Sequence, residues 1–263
     1  MYNYLKDVAR ERKTILCFGL DPVIEKIRIE GSIEDKILVF YSSIVDSLLE
    51  ENQISAIKPN YAYFAQYGFE GLNAMMDLIA RYKKRIPIIL DAKRGDIDRS
   101  SVAYAKEIYD FWGADATTIH PYMGEDSITP FIREGKLPYL LCRTSNPGAK
   151  DFQEFKIKGK PLYEHVALKA LKLNCGLVVG ATSIAIKRLV KLTKNQVPFL
   201  IPGVGTQGGD LKMALQAIKD GIYHHRINSS SGIAFAYEKV GGKPEQAALQ
   251  VARSINKEII KFF

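Results

Sequence analysis

Only three cysteines and one tryptophan occur in 263 residues, and no apolar run approaches the roughly 18 residues that a membrane helix needs. Cys17, Cys142 and Cys175 are odd in number and far apart, each in or beside an apolar stretch. That spacing argues against a disulfide framework or a cysteine zinc site, and for reduced, buried thiols in a cytoplasmic protein. The segment MYNYLKDVARERK lacks the apolar core of a signal peptide, which fits the same expectation. No low-complexity linker or block of like charge divides the chain, so one domain over 1–263 is expected. Acidic residues are outnumbered, leaving a formal net charge of +8, yet the bases are scattered, with modest clusters at 83–85 and 187–194. Without a basic segment interleaved with aromatics, nucleic acid is not the expected partner. The excess suits a solvated lysine-rich surface or the attraction of a small anion.

What is present is alternation. Short apolar runs at 14–20, 54–60, 86–93, 114–122, 138–145, 176–183, 198–205 and 221–230 are separated by stretches of helical periodicity. In EDKILVFYSSIVDSLLEE, for instance, Ile37, Phe40, Tyr41, Ile44, Val45 and Leu48 fall on one helical face. Strand alternating with helix eight times predicts an α/β fold, a (β/α)8 TIM barrel. An open doubly wound sheet would have fewer strands, and no GxGxxG follows the first run. Active sites in barrels lie at the carboxyl ends of the strands. Polar residues stand at those ends here: Asp21, Lys58, Asp91 with Lys93, Thr144 with Ser145, and Gln207.

The segment LDAKRGDIDRS, 90–100, ends an apolar strand in opposed charges. Residues two apart in a strand share a face, so Asp91 and Lys93 are expected to point together into the barrel mouth. Asp96 follows in a loop that Gly95 would let turn tightly. Lys58 ends the preceding strand, about 4.8 Å away in an adjacent pair, and so reaches either group. Two readings follow. The cluster could be a partly buried ion pair closing the barrel top. Alternatively, acid and base in a dry cleft would stress a substrate carboxylate and protonate the carbanion left by its departure. No metal is expected, because the lysine between the acids competes with a cation.

These residues resemble the charged tetrad of the orotidine 5′-phosphate decarboxylase family, in its bacterial branch with KPN and TSNPG motifs. The resemblance covers nearly the whole chain, through FGLDP (18–22), IKPNYAYF (57–64), TIHPYMGEDSITPF (118–131), RTSNPGAKDFQ (143–153) and PGVGTQGGD (202–210). It implies conversion of orotidine 5′-phosphate to UMP in pyrimidine synthesis, without metal or cofactor. Lys93 would protonate C6, Asp91 would stress the substrate carboxylate, and Lys58 would bridge Asp91 and the ribose. Asp21 would also hold the ribose. Asp96, with Ile97 and Ser100, would serve the partner's site in a homodimer. Ser145 would bond the pyrimidine, and Pro147 with Gly148 would begin a loop that closes over the ligand. Gln207 and Gly208 would meet the phosphate.

One departure stands out. The family supplies an arginine to the phosphate where this chain has Ser231, and Arg226 falls too deep in its strand to replace it. Either another basic group substitutes, the serines and backbone amides suffice, or activity is weak; reduced nucleotide affinity is expected. The four histidines and Trp112 are expected to pack rather than react. Two rivals remain: a magnesium-dependent barrel enzyme sharing DxKxxD, which would want an acid at Lys58, and a nucleotide- or RNA-binding protein without turnover.

Overall fold

The computed structural model describes residues 2–181, 185–203 and 208–263. Gln207 lies outside them, and Gly208 only opens a helix whose first side chains are not described. Eight parallel strands form one sheet: β1 (Leu16–Leu20), β2 (Ala56–Pro59), β3 (Ile89–Arg94), β4 (Ala116–Ile119), β5 (Leu137–Arg143), β8 (Gly176–Val179), β9 (Phe199–Pro202) and β10 (Arg226–Ser229). A two-residue antiparallel hairpin, β6 (Lys156–Ile157) with β7 (Lys160–Pro161), is inserted after β5. The sheet order is β2-β1-β10-β9-β8-β5-β4-β3, and bridges Ile57↔Ile88 and Asn60↔Asp91 join its two ends. The ring is the expected (β/α)8 barrel.

Most of these strands are buried along their whole length because side chains face either the barrel interior or the surrounding helices. The outer layer contains α1 (Tyr2–Arg12), α2 (Ile33–Glu50), α3 (Tyr61–Ala65), α4 (Gly68–Tyr82), α5 (Asp98–Lys106), α6 (Glu125–Ile128) and α7 (Ala149–Phe152). It continues with α8 (Leu162–Leu173), α9 (Ala185–Leu192), α10 (Gly208–Ile218), α11 (Ser231–Ala234), α12 (Tyr237–Val240) and α13 (Pro244–Ile259). In α2 the six residues picked by periodicity are all buried, joined by Leu49. Its start is set by Ser32, which accepts from the Asp35 N–H at 3.1 Å while Asp35 accepts from the Ser32 N–H at 3.3 Å. Such a reciprocal cap stabilises a helix by about 1 kcal/mol.

The amino-terminal end of the barrel is plugged. Leu5 of α1 packs with Cys17, Ala56, Ile89, Ala116, Leu137, Tyr139, Val178 and Leu200 inside the ring. Arg226, fully buried, donates to the carbonyl oxygens of Leu5 and His225. It therefore ties α1 to the base of the barrel, at the end away from the mouth, where the sequence expected it to be too deep. The three thiols are buried, and burial pushes those of Cys17 and Cys175 up to about 12. Trp112 is a core residue, as expected, with its indole N–H on Glu107 at 3.2 Å.

The eighth run is shorter as a strand than its apolar character suggests. His224 ends a 3₁₀ turn and His225 precedes β10, so neither histidine lies in the strand. The His225 Nδ1 accepts from the Phe199 N–H at 3.0 Å, and Nε2 donates to Asn195 Oδ1 at 3.1 Å. Burial, reinforced by His224 and Arg226, lowers its pKa to about 3. A proton on Nδ1 would break the bond to Phe199. The unfolded chain takes up that proton near pH 6.5 and the folded chain only near about 3. Stability from this residue is thus complete above 6.5 and falls as pH falls, by at most about 1.4 kcal/mol per unit. Urea titrations between roughly pH 5 and 7 are expected to show this slope, and His225→Gln to flatten it; equal slopes in both proteins would refute the assignment.

Candidate active site

The charged residues meet at the carboxyl ends of β2, β3 and β4. Asp91 is the centre. Its Oδ2 lies 2.8 Å from Lys58 Nζ, and its Oδ1 lies 2.7 Å from Lys93 Nζ and accepts from Thr118 Oγ1 at 2.7 Å. Asp91 and Lys58 are 9% and 3% exposed, so this is a desolvated pair, whereas the Lys93 side chain is 47% exposed. Burial alone would push the Asp91 carboxyl up, but Lys58 and Lys93 overcome it and hold it well below the usual carboxylate range. Burial would likewise lower Lys58, and Asp91 with Asp21 raises it above the ordinary lysine value. Asp91 and Lys58 are both charged at neutral pH.

Lys93 reaches Asp91 by a different route from strand alternation. Its φ is +46°, in the left-handed region, and the pairing of β3 with β4 shifts register between Leu90 and Arg94. A lysine in that region costs about 1 kcal/mol or more and persists only where its surroundings fix it. They do so here. The Lys93 N–H donates to Thr118 Oγ1 at 3.1 Å, and the Arg94 carbonyl accepts from the His120 N–H at 2.7 Å. The Arg94 guanidinium is held outward by Glu107 at 2.6 Å and by the Tyr61 ring at 4.3 Å. Lys93 turns inward while Arg94 stays anchored among the helices. Gly95 has a role other than the expected tight turn: a Cβ there would fall 2.7 Å from the His120 Cβ, so glycine is needed for close approach.

Asp21, Lys58, Asp91 and Ser231 share one cavity of about 470 Å³ with Asn60, Pro202, Gly203, Asn228, Ser229, Ser230, Gly232 and Lys239. Two of its acceptors, Asp21 Oδ1 and Asn228 Oδ1, are buried without a hydrogen-bond partner among the described residues. Buried acceptors of this kind call for donors from a ligand. Ser230 comes close because Gly19 of β1 leaves room; a Cβ there would lie 1.9 Å from Ser230 Oγ. Lys93 faces a neighbouring, more apolar cavity with Thr144, Phe152 and Tyr163. Ser145 packs against Gly180, just past β8. Asp96, by contrast, spends an oxygen on the adjoining Ile97 N–H at 2.8 Å, and Ile97 and Ser100 are exposed. Among the described residues, Asp96, Ile97, Ser100, Ser145 and Pro147 line neither cavity.

Sequence reasoning missed Thr118, Asn60, Asn228 and Lys239. Thr118 carried a faint signal as a polar residue next to the last position of an apolar strand, but only the β3–β4 register shows that it orients both Asp91 and Lys93. Asn228 sits likewise in β10, where its side-chain nitrogen donates to Ser230 Oγ at 3.2 Å.

A parallel barrel whose mouth holds a carboxylate clamped between two lysines defines a class: (β/α)8-barrel enzymes with a charged site at the carboxyl ends of the strands. The family model described as orotidine 5′-phosphate decarboxylase / HUMPS family matches residues 15–240. The orotidine 5′-phosphate decarboxylase of Janthinobacterium sp. (strain Marseille) is 41% identical over 267 residues, covering 97% of each chain. Among solved structures, the Leishmania donovani OMP decarboxylase matches with a TM-score of 0.81 at 34% identity, over 97% of this chain and 98% of that one. The Leishmania donovani UMP synthase matches with a TM-score of 0.84 at 35% identity, over 99% of this chain and 56% of that one. The chain belongs to the orotidine 5′-phosphate decarboxylase / HUMPS family.

Removing one member of a buried ion pair leaves the other under-compensated, which typically costs 3–5 kcal/mol, whereas replacing both is far milder. Lys58→Met is expected to destabilise the fold by about 3 kcal/mol in urea unfolding. Lys58→Met/Asp91→Leu should recover most of that loss. A double variant no more stable than the single one would show that the pair is not coupled.

Proposed function

We propose that this chain decarboxylates orotidine 5′-phosphate to UMP by electrostatic stress followed by proton delivery. The observation that carries the reading is Asp91 held ionised, in a desolvated mouth, within reach of Lys93. A substrate carboxylate placed beside Asp91 meets a like charge that cannot protonate away, so its ground state is raised. As carbon dioxide leaves, the electron pair of the broken bond stays on the pyrimidine C6. That charge develops towards the Lys93 ammonium, which stabilises it and then donates its proton. Lys58 offsets part of the charge on Asp91, while Thr118 fixes the carboxylate and the Lys93 backbone together. The unpartnered acceptors of Asp21 and Asn228 suit the hydroxyls of a ribose. The family also contains phosphosugar barrels. Lys58, where those enzymes would want an acid, together with KPN and TSNPG, favours the nucleotide.

The active unit is a homodimer in which Asp96, with Ile97 and Ser100, completes the partner's site. Support comes from the exposure of this segment: among the described residues its own chain gives the Asp96 carboxylate only a neighbouring N–H, and Ile97 is half exposed. Val102, Tyr122 and Met123, in the segments after the adjacent strands β3 and β4, add exposed apolar surface at the same edge. Ser145 and the turn at Pro147 and Gly148 serve the pyrimidine and the loop that closes over it.

Loss of orotidylate absorbance on adding the pure protein tests the chemistry. Lys93→Ala is expected to lower kcat by about 10²–10⁴-fold, the range for a positioned general acid; no turnover by the unmodified protein would end the proposal. Subunit mixing tests the dimer. Lys93→Ala and Asp96→Asn should each be nearly inactive, yet an equal mixture should regain about one quarter of full activity through heterodimers with one intact site. No recovery, in a mixture shown to exchange subunits, would place Asp96 outside the partner's site.

A further inference from the structure

A nucleoside monophosphate brings a phosphate dianion to the site, and such a group is held by cations together with N–H and O–H donors. This inference rests on the nucleotide reading above. The wall of the 470 Å³ cavity carries four charged side chains among the described residues: Asp21, Asp91, Lys58 and Lys239. The two acids repel a phosphate. Lys58 is bound to Asp91 at 2.8 Å and is buried. Lys93 lines the neighbouring cavity and is bound to the same carboxylate at 2.7 Å. Arg226 is locked to carbonyls at the other end of the barrel. Lys239, on α12, is left.

Its surroundings keep that charge available. The adjacent acid, Glu238, is taken by Lys26 at 2.7 Å, so it does not neutralise Lys239. The turn that carries Lys239 is fixed from beneath: the Tyr237 hydroxyl donates to the Lys26 carbonyl, and the Arg28 guanidinium lies 5.5 Å from the Tyr237 ring centroid. Lys239 itself is exposed and has no carboxylate partner among the described residues. The same wall offers the hydroxyls of Ser230 and Ser231. Acceptors for a sugar therefore stand on the strand ends, with Asp21 and Asn228. Donors and the spare cation stand on the segment that follows β10.

We propose that Lys239 is the phosphate-binding cation of this site, acting with the hydroxyls of Ser230 and Ser231. The lysine approaches from eight residues further along the chain than Ser231, so the charge an arginine at 231 would bring is supplied from a different element. An exposed ammonium on a flexible stem binds more weakly than a planar guanidinium and is more readily screened by salt.

Calorimetric titration with UMP and with uridine separates the phosphate from the rest of the ligand. Lys239→Ala is expected to weaken UMP about tenfold, the loss of one charge-assisted contact, while uridine binding stays unchanged. Adding Ser231→Arg to Lys239→Ala should restore UMP binding, and the salt dependence of UMP affinity should flatten in Lys239→Ala alone. Equal weakening of UMP and uridine, or undiminished UMP binding, would overturn the proposal, as would failure of the unmodified protein to bind UMP. Because Lys239 is on the surface, the variant's fold is not at stake, and circular dichroism checks it. Binding is read without turnover, so absence of orotidylate decarboxylation would count against the reaction and leave the Lys239 result separately legible.

Discussion

Everything at the mouth of this barrel depends on the Asp91 carboxylate being kept ionised while it is out of water. A buried carboxylate on its own would take up a proton and lose its charge. Two ammonium groups and a threonine hydroxyl prevent that, each on its own oxygen or sharing one, at 2.7–2.8 Å. The groups come from three adjacent strands, β2, β3 and β4, and only the closure of β2 onto β3 brings Lys58 to Asp91. The barrel is thus the device that holds like and unlike charges at fixed separations against their tendency to relax.

The same constraint explains the irregular end of β3. A regular strand would set Lys93 by alternation alone, with nothing to select between its many rotamers. The left-handed residue, the register shift and the outward anchoring of Arg94 instead deliver the ammonium to Asp91 from a backbone pinned by Thr118. Strain at a charged group, opposed by several independent contacts, fixes its position in advance of any ligand. The far end of the barrel is built on the opposite principle. There, buried polar groups such as Arg226 and His225 are satisfied by carbonyls and amides, and their role is to close the ring rather than to react.

Much of the site was legible in the sequence because it lies at strand ends, where a run of apolar residues stops and a charge is conspicuous. Asp21, Lys58, Asp91 and Lys93 all announce themselves in this way. Thr118 and Asn228 do not, since a single threonine or asparagine near an apolar strand is unremarkable until register shows its neighbours. Lys239 is one lysine among many on a basic chain. Nothing local distinguishes it from a solvated surface residue; its significance lies in which carboxylates are already taken.

By itself the sequence determined the periodic alternation, hence eight strand–helix units and the burial of one face of each helix, because those follow from spacing along the chain. It also determined the charged cluster of LDAKRGDIDRS and the family motifs around it. Tertiary structure alone decided how the cluster is used: the left-handed turn at Lys93, the role of Gly95 as space for His120, and the shorter final strand after His225. It also decided the division of the cavity into acceptors and donors. These depend on distances between strands far apart in sequence, and electrostatic energy in a desolvated site is set by such distances rather than by composition.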